Sequence, residues 1–189
     1  PVFVVPSGID LGPFSSEPDP LRQAVLRQSM NIPRENLILV NVGRLAGEKN
    51  IEELLRFRAG LGDAPVTLLL VGDGPDRLRL EGAAGGLGLS APAVVFAGMV
   101  PPAQVADWYQ LGDLFVSAST SETQGLTYIE ALAAGVPALC RADPCLCGVI
   151  REGENGWQYR DEAEFRRDLE CFLAHPDRQR RMSSEARRA

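Results

Sequence analysis

Apolar positions in this chain gather into short runs separated by longer amphipathic stretches. Leu37 to Val42, Val66 to Val71, Val94 to Ala97, Leu114 to Val116 and Pro137 to Cys140 are apolar almost throughout, as strands covered on both faces should be. Between them, Asn50 to Leu61, Pro75 to Leu87, Gln104 to Leu111 and Gln124 to Ala134 carry helical spacing. Glu162 to Leu173 and a last stretch after Pro176 continue that spacing to the end. This alternation predicts an α/β fold: a Rossmann-like, doubly wound parallel sheet with right-handed crossovers. Ligands of such sheets bind at the carboxyl ends of the strands. The chain reads as one domain, with an irregular entry over residues 1–36, a core over 37–160 and helices over 161–189. Pro6, Gly8, Pro13, Pro18 and Pro20 make the entry irregular. Gly82 to Gly88 (GAAGGLG) reads as a loose surface loop, and EGENGW, with Gly153, Asn155 and Gly156, as a turn.

Composition narrows the chemistry. With 189 residues and 45% hydrophobic content the chain can bury one full core. A formal charge of −6 argues against nucleic acid as a partner. Arg178, Arg180, Arg181, Arg187 and Arg188 crowd the close, where they form either a solvated helix face or a contact for phosphate or lipid. The spacing of Cys140, Cys145, Cys147 and Cys171 matches neither a zinc knuckle nor a redox C-x-x-C, so a reduced, cytoplasmic protein is expected. With His175 the single histidine, neither a histidine triad nor a histidine-rich metal site is readily built. No apolar run reaches transmembrane length. The opening PVFVVPSGID, without Met, reads as a longer chain entered in its middle.

Two stretches carry candidate chemistry. In VNVGRLAGEKNIEELL, Arg44 follows a strand and Lys49 stands at the entry to a helix. A helix N-terminus disfavours a cation, so the pair at the ligand edge points to a bound anion such as a diphosphate. The competing reading is a surface ion pair with Glu48 or Glu52. In STSETQGLTYIEALAAG, Glu122 lies in the loop, and Gly125 lets backbone approach a ligand where free helix amides point outward. Leu126, Ile129, Glu130 and Ala133 share one helical stripe, so Glu130 interrupts an apolar face and needs hydrogen-bond donors. Ligand hydroxyls would serve; otherwise the stripe rotates and Glu130 caps nearby backbone. A hydrolase pair is disfavoured, because paired carboxyls stand roughly 5 to 9.5 Å apart, whereas eight residues of helix span about 12 Å.

Together, Glu122 and Glu130 as E-x7-E, G-R-x-x-x-x-K from Gly43 to Lys49, and VGDGP from Val71 to Pro75 resemble the donor domain of family-four GT-B retaining glycosyltransferases. The resemblance runs from PSGID to about Gly156. It implies that Arg44 and Lys49 bind the diphosphate of a nucleotide sugar, Glu130 the ribose hydroxyls and Glu122 the sugar. Amides of Gly125 and Leu126, with Thr127 beside them, would meet the distal phosphate, and Gly98, Met99 and Val100 the base. Arg44, Lys49 and Glu122 would act in catalysis. ETQGLTYIEAL followed by DPCLCGVIREGENGWQY is similar to bacterial enzymes that glucosylate diacylglycerol from UDP-glucose, although many relatives have Phe where Gln124 stands. The expectation is therefore a metal-independent hexosyltransferase without a cofactor, there being no Asp-x-Asp motif. Its acceptor would be a lipid or glycan, held by an N-terminal domain absent from this chain. The chain alone would bind the sugar donor without turnover, and the whole enzyme could sit on the cytoplasmic membrane face. Asp143, Cys145 and Cys147 fall near the expected sugar with no catalytic role assigned. A non-catalytic α/β module that binds a sugar nucleotide or serves signalling is the rival class; a receiver would need an acidic cluster, whereas Asp73 and Asp113 stand singly.

Overall fold

The computed structural model describes residues 8–122 and 124–189. Pro6 and the apolar run of residues 2–5 lie outside the described residues. Among those described, six strands form one sheet: β1 Leu37–Val42, β2 Val66–Val71, β3 Val94–Gly98, β4 Leu114–Ser117, β5 Ala138–Arg141 and β6 Gly156–Tyr159. Their order is β3-β2-β1-β4-β5-β6 and every pairing is parallel. Helices α2 Ile51–Ala59, α3 Arg77–Gly86, α4 Val105–Leu111 and α5 Leu126–Ala133 make the crossovers. Helix α1 Pro20–Ser29 precedes the sheet, and α6 Glu162–Ala174 and α7 Pro176–Ala186 follow it.

Alternate strand residues face opposite layers. Leu39, Leu68, Leu70, Val116 and Leu139 pack under Leu54, Leu80 and Phe165 of α2, α3 and α6. Ile38, Val40, Leu69, Val71 and Phe115 pack under Tyr109 and Tyr128 of α4 and α5. Burial on both faces explains why the strands read as near-continuous apolar runs. Among the described residues no helix is long and apolar enough to cross a membrane.

Three expectations need correction. The entry is not irregular throughout, because Asp19 caps α1 by accepting from the amides of Leu21 and Arg22, with Pro20 at the first helical position. Gly82 to Gly86 belong to α3, held by buried Leu80 and Ala84, and the helix gives way only before Gly88 at φ 72°. The turn in EGENGW ends at Gly156, which opens β6. A Cβ there would lie 2.3 Å from the Ala138 carbonyl oxygen, so the sixth strand can pair with β5 only through a glycine.

Candidate functional site

Crossovers run outward in both directions from β1 and β4, which are neighbours through Leu39↔Leu114 and Val40↔Phe115. The crevice at a topological switch point lies at the carboxyl ends of such a strand pair. The loop after β1 is pressed against the loop after β2. Gly43 N donates to Val71 O at 2.9 Å, Leu45 N to Asp73 O at 3.0 Å and Asp76 N to Leu45 O at 3.1 Å. A Cβ on Gly72 would stand 2.0 Å from Gly43 O, and one on Gly74 2.3 Å from Leu45 O. VGDGP is thus a spacing requirement: two glycines bring one loop against the other. Arg44 projects from this junction, exposed and without an ion pair among the described residues. Lys49 closes a single 3-10 turn, Gly47–Lys49, which ends at Asn50 in the left-handed region, φ 48°.

The loop after β4 crosses this turn. Thr120 N donates to Glu48 O at 3.0 Å, and Lys49 Nζ meets Glu122 Oε1 at 2.9 Å. The Glu122 side chain is only 9% exposed. Lys49 therefore pairs with neither Glu48 nor Glu52, and Glu52 pairs with Arg79 instead. Asp143, in the loop after β5, has its carboxyl held below the usual range, chiefly because the Cys145 amide donates to it at 2.8 Å. The Cys145 thiol is pushed up to about 11, mainly by burial, which favours its protonated form at neutral pH.

Gly125 caps α5 at φ 61°, with Leu146 Cδ2 3.1 Å from where a Cβ would sit. The first-turn amides of Leu126 and half-buried Thr127 thus open toward the crevice without intrahelical partners. The buried stripe of α5 is Tyr128, Ala131 and Leu132, not the one expected. Tyr128 sets this rotation, its hydroxyl donating to Ser117 Oγ at 2.8 Å beneath the helix. Leu126, Ile129, Glu130 and Ala133 consequently form a half-exposed face. Glu130 is neither free for ligand alone nor a backbone cap: the Tyr109 hydroxyl donates to its Oε2 at 2.7 Å. Burial raises the Glu130 pKa above its ordinary value, and the Tyr109 hydrogen bond opposes that rise. Tyr109 was missed by the sequence reading, although a tyrosine on a buried helix needs a partner for its hydroxyl.

Gly98 ends β3 at the same sheet edge, at φ 78°, with its carbonyl accepting from Gly72 N at 2.8 Å. Arg77, ion-paired with Asp73 and Glu81, stands 3.0 Å from where a Gly98 Cβ would be. Met99 beside it is 81% exposed and Val100 is half-buried. The loops after β1 and β4 bring Lys49 and Glu122 together, with Gly125 in the same β4 loop; Gly98 to Val100 stand apart, beyond β2.

Residues 23–189 match the family model described as glycosyl transferases group 1. The chain is 35% identical over 187 residues to an alpha-monoglucosyldiacylglycerol synthase of Streptococcus pneumoniae, covering 96% of this chain and 42% of that protein. It spans about half the length of the curated relatives it matches. Among solved structures it superposes on Anabaena Alr3699/HepE in complex with UDP-glucose at TM-score 0.82 and 22% identity, over 96% of this chain and 50% of that one. It also matches the C-terminal domain of a glycosyl transferase group 1 family protein (LpcC) from Francisella tularensis at TM-score 0.77 and 21% identity, over 96% and 95% of the two chains.

Proposed function

This chain belongs to the group 1 glycosyltransferases, and we propose that it binds the nucleotide-diphosphate sugar of a retaining hexosyltransferase. The observation that carries this reading is the meeting of the β1 and β4 loops, where Lys49 and Glu122 face each other at 2.9 Å beside the α5 N-terminus. A diphosphate entering there finds Lys49, the exposed fork of Arg44 and free helix amides. Glu130, kept acceptor-competent by Tyr109, suits ribose hydroxyls, and Glu122 suits the hexose. Gly98, Met99 and Val100 form the remaining edge, open to a base. As the bond between the anomeric carbon and the diphosphate breaks, negative charge gathers on the departing oxygen. Arg44, Lys49 once it turns from Glu122, and the Gly125, Leu126 and Thr127 amides stabilise it. The acceptor hydroxyl attacks from the face the diphosphate leaves, so configuration is retained.

Glucose as the sugar and diacylglycerol as the acceptor rest on the relative at 35% identity, and UDP as the nucleotide on the resemblance that ETQGLTYIEAL carries. Acceptor placement and water exclusion belong to a further domain closing over this one at the cytoplasmic membrane face; the isolated chain binds without transferring. Calorimetric titration with UDP, GDP and ADP, with and without EDTA, tests the reading. UDP is expected to bind selectively and without metal, and Glu130→Ala or Arg44→Ala with Lys49→Ala to abolish binding. A folded chain that binds no nucleotide, or whose binding those changes leave intact, would overturn it.

A further inference from the structure

A second set of charged side chains lies behind the site and takes no part in the reading above. Glu53 on α2 is 7% exposed, buried with Ile51, Leu54, Leu55 and Phe57. A lone carboxylate there would be strongly destabilising. Glu53 instead accepts from the Asn50 side-chain amide at 2.9 Å, from the Tyr159 hydroxyl at 3.0 Å and from the Arg141 guanidinium. Arg141 closes β5 and Tyr159 closes β6; they are register partners, with the guanidinium 5.7 Å from the ring centroid. Asn50 ends the turn that carries Lys49. One buried carboxylate thus fastens the Lys49 turn to the ends of two strands. Buried ion pairs are often no more stabilising than apolar side chains of the same shape, so stability alone does not account for this one.

We propose that Glu53 is a positioning residue for the sugar donor's diphosphate: through Asn50 and Arg141 it fixes the turn that aims Lys49. The proposal rests on Lys49 being a diphosphate ligand. Without Glu53 the turn keeps its own backbone bonds, Lys49 N to Ala46 O at 2.9 Å and Asn50 N to Gly47 O at 3.1 Å, and its link to the β4 loop through Thr120 N and Glu48 O, but loses its tie to the ends of β5 and β6. Lys49 then samples orientations that miss the phosphate. The loss falls on phosphate recognition, and uridine alone does not register it.

The test compares UDP with uridine by ligand-observed NMR on the parent, Lys49→Ala, the double variant Glu53→Leu with Arg141→Met, and Asn50→Gly. The double variant removes both charges together and so leaves no unpaired buried charge. Glycine adopts the left-handed turn freely but cannot reach Glu53. Both are expected to melt near the parent temperature yet lower the UDP-to-uridine affinity ratio by about tenfold, the scale of one misplaced charge-assisted bond. If both keep the parent ratio while Lys49→Ala loses it, Glu53 is structural only and the proposal fails. If Lys49→Ala itself keeps the ratio, the diphosphate reading falls and the proposal with it. Asn50→Gly decides should the double variant not fold.

Discussion

Removing one hydroxyl tests how Glu130 is held. Tyr109 is fully buried and its hydroxyl lies 2.7 Å from Glu130 Oε2. Tyr109→Phe keeps the ring against Phe14 and Phe115, at centroid distances of 5.8 and 5.9 Å, so the change is confined to one hydrogen bond. A bond to a charged acceptor contributes about 1.5 to 3 kcal/mol. Glu130 is half-buried, so water replaces part of it, and a net loss of about 1 kcal/mol is expected after that screening. For a domain of this size that is roughly 2–4 °C in melting temperature. The loss carries a pH signature. Burial raises the Glu130 pKa and the Tyr109 bond opposes the rise, so the variant's folded-state value climbs further. A carboxyl with a raised folded pKa favours the folded state when protonated, and that contribution is lost as pH rises through the folded value. The deficit of Tyr109→Phe is therefore full at neutral pH and shrinks as acid protonates Glu130. Urea melts from neutral pH down to about pH 4 read this directly. A variant as stable as the parent at neutral pH, or a deficit that grows in acid, would refute the donation from Tyr109 to an ionised Glu130.

Gly72→Ala should cost about 3 kcal/mol or more in a urea melt, because its Cβ would fall 2.0 Å from Gly43 O at a φ of 130°; a variant of parental stability means the two loops are not in contact. Glu122→Gln should release Lys49 and tighten UDP a few-fold by calorimetry, with less gain for UDP-glucose, which loses a sugar contact; weaker UDP binding refutes the competition between Glu122 and phosphate. Burial raises the Asp113 carboxyl although it accepts from Ile38 N at 2.8 Å. Its contribution is therefore favourable in acid and lost as pH rises through the folded value. Asp113→Asn keeps the acceptor, so it should gain stability at neutral pH and flatten the stability–pH curve in denaturant titrations; an unchanged slope counts against it.

What was legible in the sequence was local. β1 and β2 have the bounds their apolar runs indicated, because burial on both faces leaves only two polar interruptions, Asn41, whose amide donates to Val116 O, and Thr67, whose hydroxyl accepts from the Asn36 amide. Helix α1 hid because Leu21 and Val25 are 79% and 65% exposed, leaving the Asp19–Pro20 start as its only signal. β6 hid because the glycine it needs for close approach to β5 is also a turn residue. Arg44, Lys49, Glu122 and Glu130 could be singled out from loop position and helix spacing, but their partners could not. Lys49 reaches across 73 residues to Glu122, and Glu130 across 21 to Tyr109. Such pairs depend on which strands are neighbours and on the rotation of α5, and neither is encoded in a short window. Glu53 is the extreme case. Next to Glu52 on an amphipathic helix it reads as surface charge, and only the β5–β6 register, which joins it to residues 88 and 106 positions away, reveals it as buried and tied to the Lys49 turn. The candidate ligand residues are thus readable from local chemistry, whereas the partners that hold them in place emerge only once the sheet is assembled.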